Sequence, residues 1–111
     1  MEPNGKWRLT MPDFDQATMD LCEPAFIEFS DGHGSFHFIC VYAEMTRISL
    51  AKRTGKTKFM FSGHDDNYDE ISGRGWAEIS EGGDLKGHLH FSNDEDYDFT
   101  GTRIPLELLQ K

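Results

Sequence analysis

The chain is 111 residues long, 37% hydrophobic and 13% aromatic, enough for one domain with nine Phe available to fill a core. Acidic residues outnumber basic ones 20 to 11, and the formal net charge of −9 repels phosphate backbones and anionic membranes. Neither nucleic acid nor membrane is therefore expected as a partner, and no apolar run approaches the roughly 20 residues of a membrane span.

The opening segment has no apolar stretch of the secretory kind. Trp7, Leu9 and Met11 alternate with Lys6, Arg8 and Thr10 as a first strand, which Pro12 ends. Asp13 to Cys22 reads as a short helix or lid-like loop carrying Phe14, Ala17, Met19 and Leu21. A second strand is expected over 25–30, followed by the turn Asp31-Gly32-His33-Gly34.

The third strand is expected over 35–42 and the fourth over 44–51, with no readable signal for the join near Ala43. Arg53-Thr54-Gly55-Lys56 makes a hairpin tip into a fifth strand bearing Phe59 and Phe61. The five basic residues Arg47, Lys52, Arg53, Lys56 and Lys58 read as the solvated surface of that hairpin. An acidic loop over 63–71 precedes strands at 74–80, 85–91 and 97–103, a meander with polar, Gly/Asp-rich turns.

Eight short strands with mostly short connections predict a single all-β domain, an eight-strand antiparallel up-and-down barrel with a short helical lid and a C-terminal tail. The inward positions are Trp7, Leu9, Ile27, Phe29, Phe36, Phe38, Cys40, Ile48, Leu50, Phe59, Phe61, Ala77, Ile79, Leu85, Leu89, Phe91, Tyr97 and Phe99. Gly75, Gly87 and Gly101 share that parity. Pairing Ile79 with Leu85 and Leu89 with Phe99 would line up Ala77, Gly87 and Gly101 in one row. Such a row lets the sheet coil under a covering Trp7 or leaves room for a small apolar ligand.

Gly5-x-Trp7 at the start of the first strand and Arg103 at the end of the last resemble the calycin pattern of lipocalins. That resemblance implies a tryptophan closing one barrel end, a basic residue packed across it, a lid between strands one and two, and a small apolar ligand inside. The chain is also similar to a family of small uncharacterised bacterial β-barrel proteins, through G-x-W, EPAFIEF and SGRGWAEI…L-x-G-x-L-x-F…D-x-x-F-x-x-x-R. This likeness implies fold and bacterial origin and brings no activity with it.

His88 and His90 share the outer face of the seventh strand, where the same register sets His90 opposite Asp98 and His88 opposite Thr100. A zinc site needs three or four ligands, so the pair reads as hydrogen-bonded surface, with no metal expected. Asp65-x-Asn67-x-Asp69 begins like a calcium loop but has Glu70 where Gly belongs and Trp76 where the bidentate Glu belongs. Asp94-x-Asp96-x-Asp98 fails in a similar way, because Asp98 falls within a strand.

Cys22 and Cys40 have no evident His partner and read as reduced thiols of a cytoplasmic protein, Cys40 as a small buried hydrophobe. No nucleophile elbow, phosphate loop or dinucleotide fingerprint occurs, so neither an enzyme nor a cofactor is expected. The expected function is noncatalytic binding of a small apolar or amphipathic molecule at the lidded end. Trp7, Gly75, Gly87, Gly101 and Arg103 would shape the site, with Phe14, Met19 and Leu21 as lid. The alternative is a filled barrel acting as a protein-interaction or homodimerisation module through Phe26, Tyr68, its acidic loops and the apolar tail from Ile104 to Lys111.

Overall fold

A computed structural model describes residues 3–104. Within them, eight strands form one closed barrel in sequence order: β1 (Gly5–Thr10), β2 (Phe26–Ser30), β3 (His33–Phe38), β4 (Val41–Ala51), β5 (Lys56–His64), β6 (Glu70–Ile79), β7 (Leu85–Phe91) and β8 (Asp96–Arg103). A single helical turn, α1 (Gln16–Met19), lies between β1 and β2. Every neighbouring pair is antiparallel. β8 closes on β1 with Trp7 opposite Arg103 and Leu9 opposite Gly101, so no strand edge is left to pair with another chain.

Alternation drives the architecture. Trp7 and Leu9, Ile27 and Phe29, Phe36 and Phe38, Phe59 and Phe61, and Leu85, Leu89 and Phe91 are all buried, while their neighbours in sequence are mostly more exposed. Aromatic rings fill the axis in a chain of contacts: Phe36 to Phe61 at 5.0 Å, Phe61 to Phe91 at 5.0 Å and Phe91 to Tyr97 at 5.8 Å, each edge-to-face. An eight-strand barrel is just wide enough for side chains to fill, and here they do.

Local chemistry sets the turns. Asp31 and Gly32 both take positive φ, 46° and 81°, between the paired Ser30 and His33. This is the two-residue hairpin that an Asp-Gly pair favours, shorter than the turn expected over 31–34, so β3 begins at His33 and not at Ser35. In the 92–95 loop between β7 and β8, Phe91 N–H donates to the Glu95 carbonyl at 2.8 Å and so closes a turn with three residues inside it, Asp94 at φ 70° among them. Here an aspartate holds the left-handed position usually given to glycine.

That tight loop corrects the expected register by two residues. Leu89 pairs with Tyr97, Gly87 with Phe99 and Leu85 with Gly101. The expected pairing of β6 with β7 is found, with Ile79 opposite Leu85 and Ala77 opposite Gly87. The continuous small-residue row therefore stops at Gly87.

A turn at Ile39 and Cys40 ends β3 at Phe38, short of the expected Tyr42. Ile39 takes φ 58°, a conformation its β-branched side chain disfavours. Two hydrogen bonds from the lid hold it there: Ile39 N–H to the Met19 carbonyl at 2.7 Å and Cys22 N–H to the Ile39 carbonyl at 3.2 Å. In β4 a register shift between Thr46 and Ser49, with Arg47 at φ 51°, resets the face. Ala43 and Met45 are thus the buried positions before the shift, and Ile48 and Leu50 are only half-buried after it.

Candidate functional site

Strand direction divides the molecule into two ends. β1 starts at one end, which it shares with the turns at 31–32, 52–55 and 80–84. It finishes at the other, shared with α1, the Ile39–Cys40 turn and the loops at 65–69 and 92–95. Trp7 and Arg103 lie toward the first end, opposite the lid. The expected site residues therefore do not form one constellation.

At the Trp7 end, the indole is fully buried and its Nε1–H donates to the Pro3 carbonyl at 3.0 Å. The Arg103 guanidinium lies 4.2 Å from the ring centroid, and its Nη1 donates to the Asn4 carbonyl at 2.9 Å. Gly5, at φ 122°, leaves this guanidinium its space, for a Cβ there would sit 2.5 Å from Nη1. Thr57, buried and with no partner for its hydroxyl among the described residues, lines a void of about 10 Å³. Such a volume suits one water molecule at most.

The inward glycines are covered by neighbouring side chains. Phe59 lies over Gly75, with its Cζ 2.9 Å from where a Cβ would be, and the ring of Phe99 lies over Gly87 in the same way. Gly101 sits between Trp7 Cβ and Leu85 Cβ, at 3.0 and 3.2 Å from a Cβ position. Trp7 thus covers Gly101 but not Gly87.

At the other end, Asp15 caps α1 by accepting from Thr18 N–H at 2.8 Å, and those Thr18 hydrogen bonds hold its carboxyl below the usual value. Met19 is fully buried, and half-buried Phe14 meets Tyr97 at 5.5 Å. Leu21, expected as part of the lid's apolar face, is instead 68% exposed. Tyr97 donates its hydroxyl to Glu95; that bond, then burial, pushes its pKa up to about 12.

Two devices fasten this lid. Cys22 and Cys40 form a disulfide, with Cα atoms 5.4 Å apart, which overturns the expectation of free thiols and of Cys40 as a buried hydrophobe. Their separation of 18 residues carries no geometric signal; the hidden Ile39 turn brings them together. Asp20 is the second device. It ion-pairs with Arg8, and its Oδ1 accepts from Ala25 N–H at 2.8 Å and Gln16 Nε2 at 3.2 Å. Burial raises the Asp20 pKa, but the Ala25, Gln16 and Arg8 contacts outweigh it and hold the carboxyl below its usual value.

On the outer face of β7, His88 lies opposite Asp98 and His90 opposite Asp96, which corrects the partners expected from sequence. His88 Nδ1 is 2.7 Å from Asp98 and its Nε2 is 2.9 Å from Asp96, while His90 Nδ1 is 2.7 Å from Asp96. The bonds to Asp98 and then Asp96 raise the His88 pKa. Among the described residues, no group of three or more His, Cys, Asp or Glu side chains is arranged to hold a metal ion.

A shallow depression of about 580 Å³ lies beside the 65–69 loop, lined by Ser62, His64, Tyr68, Glu70, Ile71 and others. Tyr68 is 81% exposed and Met60, on the adjoining face of β5, 48% exposed. Phe26 is half-buried on the outer surface beneath the Lys6 ammonium, 4.4 Å from its ring. Ile104 is described, and its N–H donates to the Lys6 carbonyl at 2.9 Å; the rest of the apolar tail lies outside the described residues. No described helix is long and apolar enough to cross a membrane.

Searches of protein-family models, curated proteins and solved structures returned no match to this chain.

Proposed function

We propose that the protein acts noncatalytically, as a filled barrel that meets a protein partner or a second copy of itself through its outer surface. The observation that carries this reading is the occupied interior: Phe59, Phe99, Trp7 and Leu85 take the space above the inward glycines expected to leave room for a ligand. Exposed Met60 and Tyr68, with the depression beside the 65–69 loop, supply contact area. The stacking of Arg103 on Trp7 supports a calycin-like closure of the opposite end.

A second reading, a small apolar ligand at the lidded end, draws support from Phe14, Phe38, Phe91 and Tyr97, which cluster there beside Met19. Native mass spectrometry of gently purified protein separates the two. A bare monomer or a clean dimer agrees with the filled barrel. A retained mass of a few hundred daltons, lost on denaturation, would overturn it in favour of the ligand. A cytoplasmic location loses the support of free thiols, because a standing disulfide suits an oxidising compartment and one in the cytoplasm is usually transient or redox-sensing.

A further inference from the structure

We propose that the Cys22–Cys40 disulfide is a redox latch on the lid, so that its reduction frees the 11–25 segment while the barrel stays closed. Neither cysteine lies in a strand: Cys22 follows α1, and Cys40 sits in the turn between β3 and β4. The crosslink therefore fastens the lid to one turn and joins no pair of strands. The barrel is closed by its own strand ladders, β8 onto β1 included.

Cys22 is exposed and Cys40 half-buried, so a reductant can reach the bond. One thiolate of a dithiol attacks the Cys22 sulfur, forming a mixed disulfide and expelling Cys40 as a thiolate that takes up a proton. The second thiol of the reductant then attacks its own sulfur in the mixed disulfide and releases Cys22. The reductant leaves as a disulfide, and two electrons and two protons have passed to the protein.

The lid is then held without a covalent bond, by the buried Met11, Met19 and Ala25 and by hydrogen bonds. α1 is a single turn, too short to persist alone. The two backbone bonds between Ile39 and the lid must hold an isoleucine in a disfavoured left-handed conformation, and they lie directly beside the crosslink. Asp20 remains as a charged pin, through Arg8, Gln16 and Ala25, beside the longer contact of Glu23 with His37 at 3.9 Å. Lifting the segment uncovers Tyr97, which Phe14 meets at 5.5 Å, and brings Phe14 and Met19 into solvent. The latch does not depend on what the barrel binds.

Residue-resolved amide hydrogen exchange tests this on the full chain, oxidised, then treated with dithiothreitol, and in the double variant Cys22→Ser/Cys40→Ser. The expected result is at least tenfold faster exchange at Met19, at Ile39 and at the position of Cys22, in the reduced protein and in the variant alike. Phe59 and Leu89, inside the barrel, should change less than twofold, and reoxidation should restore protection only in the wild type. Unchanged lid exchange after reduction overturns the proposal. So does a loss of protection throughout the barrel, which would make the crosslink a staple of the whole fold. Alkylation of both thiols in protein held under oxidising conditions would also overturn it, because no latch would then exist.

Discussion

Gly87 lies directly beneath the ring of Phe99, its cross-strand partner, with no space between them for a methyl group. A Cβ there would press on the Phe99 ring from one side and on the Trp76 carbonyl of β6 from another. The ring can swing, but the backbone carbonyl cannot move without disturbing the ladder. Gly87→Ala should therefore lower stability by about 1–3 kcal/mol, the usual cost of overpacking. In urea the midpoint should fall with the slope unchanged. An unchanged midpoint would show that β6 and β7 separate freely and that the fit at Gly87 is loose.

The Arg103–Trp7 stack closes the opposite end. Arg103→Met keeps an apolar stem over the indole but removes the cation and the bond to Asn4. It should cost about 0.5–2 kcal/mol, and Arg103→Lys should recover only part of this because an ammonium cannot lie flat on the ring. Equal stability of the lysine variant and the wild type would mean that charge alone matters there.

Much of the architecture can be read locally because single residue types force it. Asp31-Gly32 specifies its hairpin, alternation fixes Leu85 to Phe91 to the residue, and Ile79 opposite Leu85 follows from a turn rich in glycine. The unreadable parts depend on partners distant in sequence. Nothing in Phe38-Ile39-Cys40 signals a turn, because the left-handed Ile39 is held by Met19 and Cys22. Asp94 hides the tight turn that sets the register of Gly87, and Arg47 hides the shift in β4.

Of the site, the Trp7, Gly101 and Arg103 neighbourhood is legible from the two chain ends that form it. The Asp20 pin and the disulfide are not, since each joins residues whose proximity exists only after the lid folds. Trp7 and the lid cannot share one site for a reason of strand direction: a strand that begins at one end of a barrel must deliver its following loop to the other.

The β7–β8 hairpin should show a pH-dependent stability centred on His88. Its hydrogen bonds to Asp98 and Asp96 raise its pKa above the ordinary 6.5. A raised folded value means the contribution is complete below about 6.5 and is lost as pH climbs through the folded pKa. Asp96, lowered by His88 and then His90, contributes above 3.8 and loses its part as pH falls through its depressed folded value. The stability difference between wild type and His88→Ala should thus shrink as pH rises above 6.5 and through the raised folded value, in urea titrations at a series of pH values. A constant difference would show that His88 acts only through packing.

Asp20 should matter to the lid far more than to the barrel. Removing its carboxylate leaves Ala25 N–H without its side-chain acceptor and Arg8 without its ion-pair partner. Asp20→Ala should cost about 1.5–3 kcal/mol locally, the scale of hydrogen bonds to a charged group. The loss should appear as faster amide exchange at Ala25 and Met19, with Leu89 unchanged. Asp20→Asn, which keeps an oxygen toward Ala25 but loses the charge facing Arg8, should fall between the two. The wild-type lid should loosen likewise in acid, because a carboxyl whose folded pKa is depressed gives up its contribution as pH drops below its ordinary 3.8. Reduction removes the covalent fastening and acid removes the ionic one, so reduced protein at low pH should have the most open lid. If acid and reduction together do no more than either alone, Asp20 and the disulfide act as one fastening and the two-pin description fails.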